Sequence, residues 1–123
     1  MQHRGVISVV DDDVSSRESL PDLLRTLNFA AASFASAEGF LASDAFADTW
    51  WLILDLSMPG MSGPQLQREL NRRGPKIPII FITAHFDQAL RTDLLARSAV
   101  ACLFKPFTDQ DLRSALNSVV GGN

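Results

Sequence analysis

Short, mostly apolar runs recur five times along the chain, and four of them stop abruptly at a polar or charged residue. Val6-Ile7-Ser8-Val9-Val10 stops at Asp11, Trp50 to Leu54 at Asp55, Pro78 to Ile82 at Thr83, and Val100 to Phe104 at Lys105. The fifth run, Phe29 to Phe34, is Ala-rich and weaker. Runs of this length without apolar–polar alternation mark strands buried on both faces. Between them the spacing changes to that of a helix. Leu20, Leu23, Leu24 and Leu27 share one face of a helix over 14–27, with Asp13 or Ser15 as its cap. Pro21 falls inside this helix and is expected to kink or split it. Residues 36–41 form a short helix capped by Ser36. Residues 64–73 form another, with Pro64 in its first turn and Gly74-Pro75 closing it. A polar-faced helix follows over 86–98. A last helix starts at Thr108-Asp109 and runs through Val120.

Five strands alternating with five helices predict a parallel sheet covered on both faces by right-handed crossovers. The expected strand order is 2-1-3-4-5, with the switch point between strands one and three. That topology brings Asp11, Asp12 and Asp55 into one crevice.

Composition narrows the function. With 123 residues the chain is expected to form a single domain over 1–123, with no separate output domain. Apolar residues make up 46% and charged residues 20%, as in an ordinary globular protein. The net charge of -3 offers no electrostatic footprint for nucleic acid. The cluster of Arg68, Arg72, Arg73 and Lys76 reads as a solvated helix end. A single cysteine, Cys102, excludes an internal disulfide and a zinc-type spacing. The N-terminus shows no secretory pattern, and no apolar stretch reaches the roughly 18 residues that span a membrane. The expected setting is the cytoplasm, with no direct contact to nucleic acid or membrane.

The strand ends carry the chemistry. Three carboxylates converging in one crevice either rise in pKa or share a cation. Hard oxygen donors with few protein contacts suit Mg²⁺, which keeps several waters and shares a phosphate oxygen. A carboxylate beside Mg²⁺ can attack phosphorus and form an aspartyl phosphate. Catalysis of such a transfer is mostly positioning and charge neutralisation. Lys105 supplies a second cation and the Thr83 hydroxyl a hydrogen-bond donor.

On these pieces the chain resembles the receiver domain of two-component response regulators, over essentially its whole length. The matching segments are Val9-Val10-Asp11-Asp12-Asp13, Leu54 to Gly63, Phe81-Ile82-Thr83-Ala84-His85 and Lys105-Pro106-Phe107. Within the family it is most similar to the regulators of nitrogen fixation and nitrate response. The resemblance implies a flavodoxin-like doubly wound (βα)5 fold. It implies that Asp55 accepts a phosphoryl group from a phosphohistidine on a sensor histidine kinase or phosphotransfer protein. It assigns Mg²⁺ to Asp12 and Asp55, with Asp11 assisting and the backbone carbonyl of Ser57 completing the site. Thr83 and Lys105 would hold phosphoryl oxygens, helped by backbone N–H groups near Leu56 and Ala84. A cis peptide is implied before Pro106. The output surface would be the helix after Thr83, strand five and the last helix, used toward a downstream effector or output domain or in a homodimer. The family's members are phosphoacceptors, some with autodephosphorylation, rather than turnover enzymes.

Three positions depart from the family pattern or vary within it. Cys102 stands where an aromatic ring usually couples to the threonine. Ser98 stands where a glycine usually precedes strand five. His85 lies where residues vary and tune hydrolysis. Cys102 in a strand interior is expected to be an inert buried thiol. Two other aspartate or phosphate chemistries fit less well. A haloacid-dehalogenase-type phosphatase would carry a second acid two residues after its nucleophile, where this chain has Ser57. A flavin binder of the same topology would need a Ser/Thr-rich first loop instead of Asp11-Asp12-Asp13. The remaining alternative is a degenerate receiver that binds proteins independently of phosphorylation.

Overall fold

The computed structural model describes residues 5–74, 77–84, 87–96 and 99–120, with the backbone alone for 118–120. Five strands, β1 (Val6–Val10), β2 (Ala30–Phe34), β3 (Thr49–Asp55), β4 (Ile79–Thr83) and β5 (Ala101–Phe104), form one sheet in the order β2-β1-β3-β4-β5. Every pairing is parallel. The helices are α1 (Val14–Thr26), α2 (Ala37–Leu41), α3 (Ala45–Asp48), α4 (Gly63–Arg73), α5 (Gln88–Ala96) and α6 (Asp109–Val120).

Successive side chains of a strand point to opposite faces, and here both faces are covered. Ile7, Val9, Trp51, Ile53, Ile80 and Ile82 pack with Leu20 and Leu24 of α1 and Leu112 and Leu116 of α6. Val10, Leu52, Leu54, Phe81 and Cys102 pack with Phe40 of α2, Leu66 and Leu70 of α4 and Leu94 of α5. Burial on both sides is why the central strands read as unbroken apolar runs.

The helix termini follow local chemistry. Asp13 caps α1 by accepting from the Ser15 N–H, and Ser36 caps α2 by accepting from the Gly39 N–H. Ser62 and Gln65 form a reciprocal capping box at the start of α4, which sets its first residue at Gly63, one before Pro64. Gly74 ends α4 with φ 109°, a left-handed conformation that glycine adopts without steric cost. Thr108 and Asp111 bond to each other's backbone N–H at 3.0 Å and start α6. At the end of α4, Arg72 and Arg73 share the single carboxylate of Glu69, so these basic residues form a solvated helix end that is only partly neutralised.

Two expectations are corrected. Helix α1 runs unbroken through Pro21. Leu20 and Leu24, on either side of the proline, are buried against the sheet, and most helix stability in proteins comes from such packing. A sixth helix, α3, was not legible. It is a single turn, too short for a period, closed by Thr49 Oγ1 donating to the Ala45 carbonyl at 2.7 Å. It is also held by Phe46 packed edge-on against Phe40 at 5.4 Å. Lys76, Pro75, His85 and Ser98, all named from the sequence, lie outside the described residues.

Candidate functional site

The C-terminal ends of four strands lie side by side. The register pairs Val10 with Leu54, Asp55 with Ile82, and Thr83 with Phe104. Residues at or just beyond these ends are therefore brought together by the sheet itself. Lys105 is drawn to Thr83 by a further backbone bond, Lys105 N–H to Thr83 O at 2.7 Å. The Lys105–Pro106 peptide is cis. Asp12, Asp13, Asp55, Ser57, Thr83, Ala84 and Lys105 line a cleft of about 290 Å³, and Asp11 lies fully buried beneath it.

Charge in the cleft is partly compensated. Lys105 Nζ lies 2.8 Å from Asp11 Oδ2 and 3.9 Å from Asp13 Oδ2. The other Asp11 oxygen, Oδ1, accepts from the Asp13 N–H at 3.0 Å. Arg17 donates to the Asp11 main-chain carbonyl at 3.1 Å. Both Asp11 oxygens are thus engaged, whereas Asp12 is exposed at the rim. Asp55 is 7% exposed. Its carboxyl is pushed up to about 7, first by burial and then by the charge of Asp11. Lys105 opposes that rise, and a hydrogen bond with Asp11 and the charge of Asp12 add to it. For Lys105, burial pulls the ammonium down, but the Asp11 hydrogen bond and the surrounding carboxylates outweigh it and hold the pKa above its ordinary value.

One carboxylate oxygen from each of Asp11, Asp12 and Asp55 lies within 4.8 Å of the other two. Two oxygens on a single Mg²⁺ lie about 3 to 4 Å apart, because each sits roughly 2.1 Å from the ion. The donor set therefore fits a hard divalent cation after a small contraction. Three carboxylates facing one lysine also leave negative charge for such a cation to neutralise.

A pH dependence follows. Asp55 must lose its proton to bind a cation. Below about pH 7 that proton is present in the metal-free protein. Mg²⁺ affinity is expected to fall about tenfold per pH unit below 7 and to level off above it. Calorimetric titration in two buffers of different ionisation enthalpy checks this, with close to one proton released per Mg²⁺ bound at pH 6.

The predicted residues Asp11, Asp12, Asp55, Ser57, Thr83 and Lys105 all meet at this cleft. The Leu56 N–H donates to the Ile82 carbonyl at 3.0 Å as part of the β3–β4 ladder. The amide donor expected near Leu56 is therefore not its own, and Ser57 and Ala84 are the neighbours that line the cleft. Cys102 does not line it. Cys102, on β5, pairs with Phe81 of β4 and is buried in the core that contains Leu94 and Ala99. Burial raises its thiol pKa, with Arg91 acting weakly the other way, as an inert core cysteine requires.

Asp13, the third acid at the end of β1, both caps α1 and faces Lys105. One contributor carries no signal in the sequence. Glu38 of α2 reaches the loop after β3 and accepts from the Met61 N–H at 3.0 Å. Its separation of 23 residues leaves no local sequence signal.

Comparison with known proteins adds an independent observation. The sequence profile described as response regulator receiver domain matches residues 7–117. The transcriptional regulatory protein TdiR of Thauera aromatica is 38% identical over 119 residues, covering 97% of this chain and 52% of TdiR. Nodulation protein W of Bradyrhizobium diazoefficiens is 41% identical over 113 residues, covering 92% of this chain and 50% of that protein. The crystal structure of FixJ-N superposes with a TM-score of 0.83 at 35% identity, covering 98% of this chain and 96% of that one. The chain spans about half the length of these two curated relatives.

Proposed function

From the premise that this chain belongs to the response regulator receiver domain family, a module of two-component signalling, we propose that Asp55 is its phosphoacceptor. The observation that carries the reading is the convergence of three carboxylates, a lysine and a threonine on one cleft at the C-terminal edge of the sheet. The donor is a phosphohistidine on a sensor histidine kinase or phosphotransfer protein. Asp12 and Asp55 would hold Mg²⁺ directly, with the Ser57 carbonyl. Asp11, whose oxygens already bond Lys105 and Asp13, assists from beneath. When bound, Mg²⁺ supplies charge neutralisation on the phosphoryl oxygens and keeps Asp55 ionised.

The chain's own groups do the rest. An ionised Asp55 oxygen forms the new bond to phosphorus. The phosphorus–nitrogen bond of the donor breaks, and the leaving imidazole takes up a proton from solvent. Lys105 would turn its ammonium from Asp11 toward the incoming oxygens. Thr83, the last residue of β4, would donate its hydroxyl to another. Because transfer to and from Asp55 is a change of state, the domain acts as a switch and not as a turnover enzyme. Phosphorylation biases the face made by α5, β5 and α6, which then meets an output domain, an effector or a second copy. The setting is the cytoplasm; among the described residues no helix is long and apolar enough to cross a membrane.

Cys102 motivates a second reading, a receiver whose partner binding ignores phosphorylation. The two separate experimentally. Treatment with acetyl phosphate and Mg²⁺ is expected to add a single phosphoryl mass, lost with a chelator and in Asp55→Asn. Absence of the adduct, with Mg²⁺ shown to bind, would favour the second reading.

A further inference from the structure

The loop between β3 and α4 is pinned at its base by its own chain. The Gly63 N–H donates to the Leu56 carbonyl at 3.1 Å. A side chain at Gly63 would meet the Asp55 carbonyl at 2.5 Å, so the loop closes directly onto the strand that carries Asp55. Met58 is buried beneath it. The tip, Gly60 and Met61, is held differently. Gly60 turns with φ 76°, and this aims the Met61 N–H at Glu38 Oε2, 3.0 Å away on α2. A methyl at Gly60 would lie 2.8 Å from that same oxygen. Glu38 itself sits on a helix fixed by the Ser36 cap and by Phe40 in the core.

We infer that Glu38 is a positioning residue for the cleft, tying the tip of the β3–α4 loop to α2 so that Ser57, at the start of that loop, keeps its place on the metal side. The geometry separates two tasks. The base contacts hold the loop against β3 whatever Glu38 does. The Glu38 bond selects one arrangement of the four residues that follow Ser57. An exposed hydrogen bond contributes little to folding. Its effect is therefore expected on the cleft and not on the thermal midpoint. The inference rests on the proposed metal site and goes beyond it, since Glu38 lies outside the cleft lining.

The test compares Glu38→Ala, Glu38→Gln and Gly60→Ala with the wild-type chain. In metal-free protein, hydrogen exchange at the Met61 amide should quicken about tenfold in Glu38→Ala and stay near wild type in Glu38→Gln, which retains an acceptor oxygen. Mg²⁺ binding by calorimetry should weaken about tenfold in Glu38→Ala, the size of effect typical of outer positioning partners, and recover in Glu38→Gln. Gly60→Ala, which disturbs the same bond from the other side, should resemble Glu38→Ala. With acetyl phosphate, Glu38→Ala should need more Mg²⁺ for half-maximal rate but reach the wild-type rate at saturation. Wild-type exchange and wild-type Mg²⁺ affinity in Glu38→Ala would overturn the assignment while leaving the phosphoacceptor reading intact. A wild-type chain that takes no phosphoryl group, with Glu38 still controlling Met61 exchange and Mg²⁺ affinity, would overturn the phosphoacceptor reading and support the assignment.

Discussion

Replacing Asp55 by Asn is expected to stabilise the metal-free protein at pH 8 by about 2 kcal/mol and to leave it unchanged at pH 4. The sign comes from linkage. An unfolded aspartate ionises near pH 3.9, whereas burial and the charge of Asp11 push the folded Asp55 to about 7. Folding therefore favours the protonated form. The stability of that form is fully present below about pH 4 and is lost as pH rises toward 7. Asparagine reproduces the neutral acid and never incurs the loss. About three pH units at roughly 1.4 kcal/mol each set a ceiling near 4 kcal/mol. Local rearrangement and water entering the cleft reduce that to about half. In thermal unfolding this corresponds to roughly 8 °C for a domain of this size. Mg²⁺ should reverse the order at pH 8, because it stabilises the folded wild type by mass action and has lost a ligand in the variant. Equal midpoints for the two proteins at pH 8 without metal would show that Asp55 is not held in a charge-repelling site.

The second large effect concerns Lys105→Met. The lysine is the partner of a fully buried carboxylate, Asp11, at 2.8 Å. Removing one member of a buried pair leaves an uncompensated charge, which typically costs 3–5 kcal/mol. Lys105 is partly open to solvent, with 21% of its side chain exposed, so about 3 kcal/mol is expected near pH 7 by urea denaturation. Mg²⁺ should restore part of this loss, since it offers the carboxylates another cation. It should not restore the chemistry. The phosphoryl oxygens also lose their lysine, and phosphorylation by acetyl phosphate should slow by at least about a hundredfold. A variant as stable as wild type that is phosphorylated at the wild-type rate would remove Lys105 from both roles.

The same physics explains what the sequence made legible. The strand termini were readable because a both-sides-buried strand shows as an apolar run, and a charge at its end is conspicuous. Asp11, Asp55, Thr83 and Lys105 each stand at such an end, and parallel topology brings those ends to one edge. The five helices expected from the sequence declared themselves through caps such as Asp13, Ser36 and Thr108 or through spacing. Helix α3 had one turn and no side-chain cap on Asp44, so neither signal existed. Pro21 misled because the rule against proline weighs the local bond, whereas burial of Leu20 and Leu24 decided the outcome. Ser62 and Gln65 did carry a readable capping-box spacing, and it moves the start of α4 by one residue. Glu38 could not be found from sequence, because its partner is a backbone N–H in a loop 23 residues away. The engagement of both Asp11 oxygens likewise depends on three-dimensional placement of Lys105.

The claim that Asp55 receives the phosphoryl group is tested most directly by locating the group. Protein treated with acetyl phosphate and Mg²⁺ can be reduced with borohydride, which converts an acyl phosphate on aspartate to homoserine, and then digested and sequenced by tandem mass spectrometry. The account predicts homoserine at position 55 and nowhere else, absent when chelator is added before the phosphodonor. Homoserine at position 11, 12 or 13 with an unmodified Asp55 would contradict it.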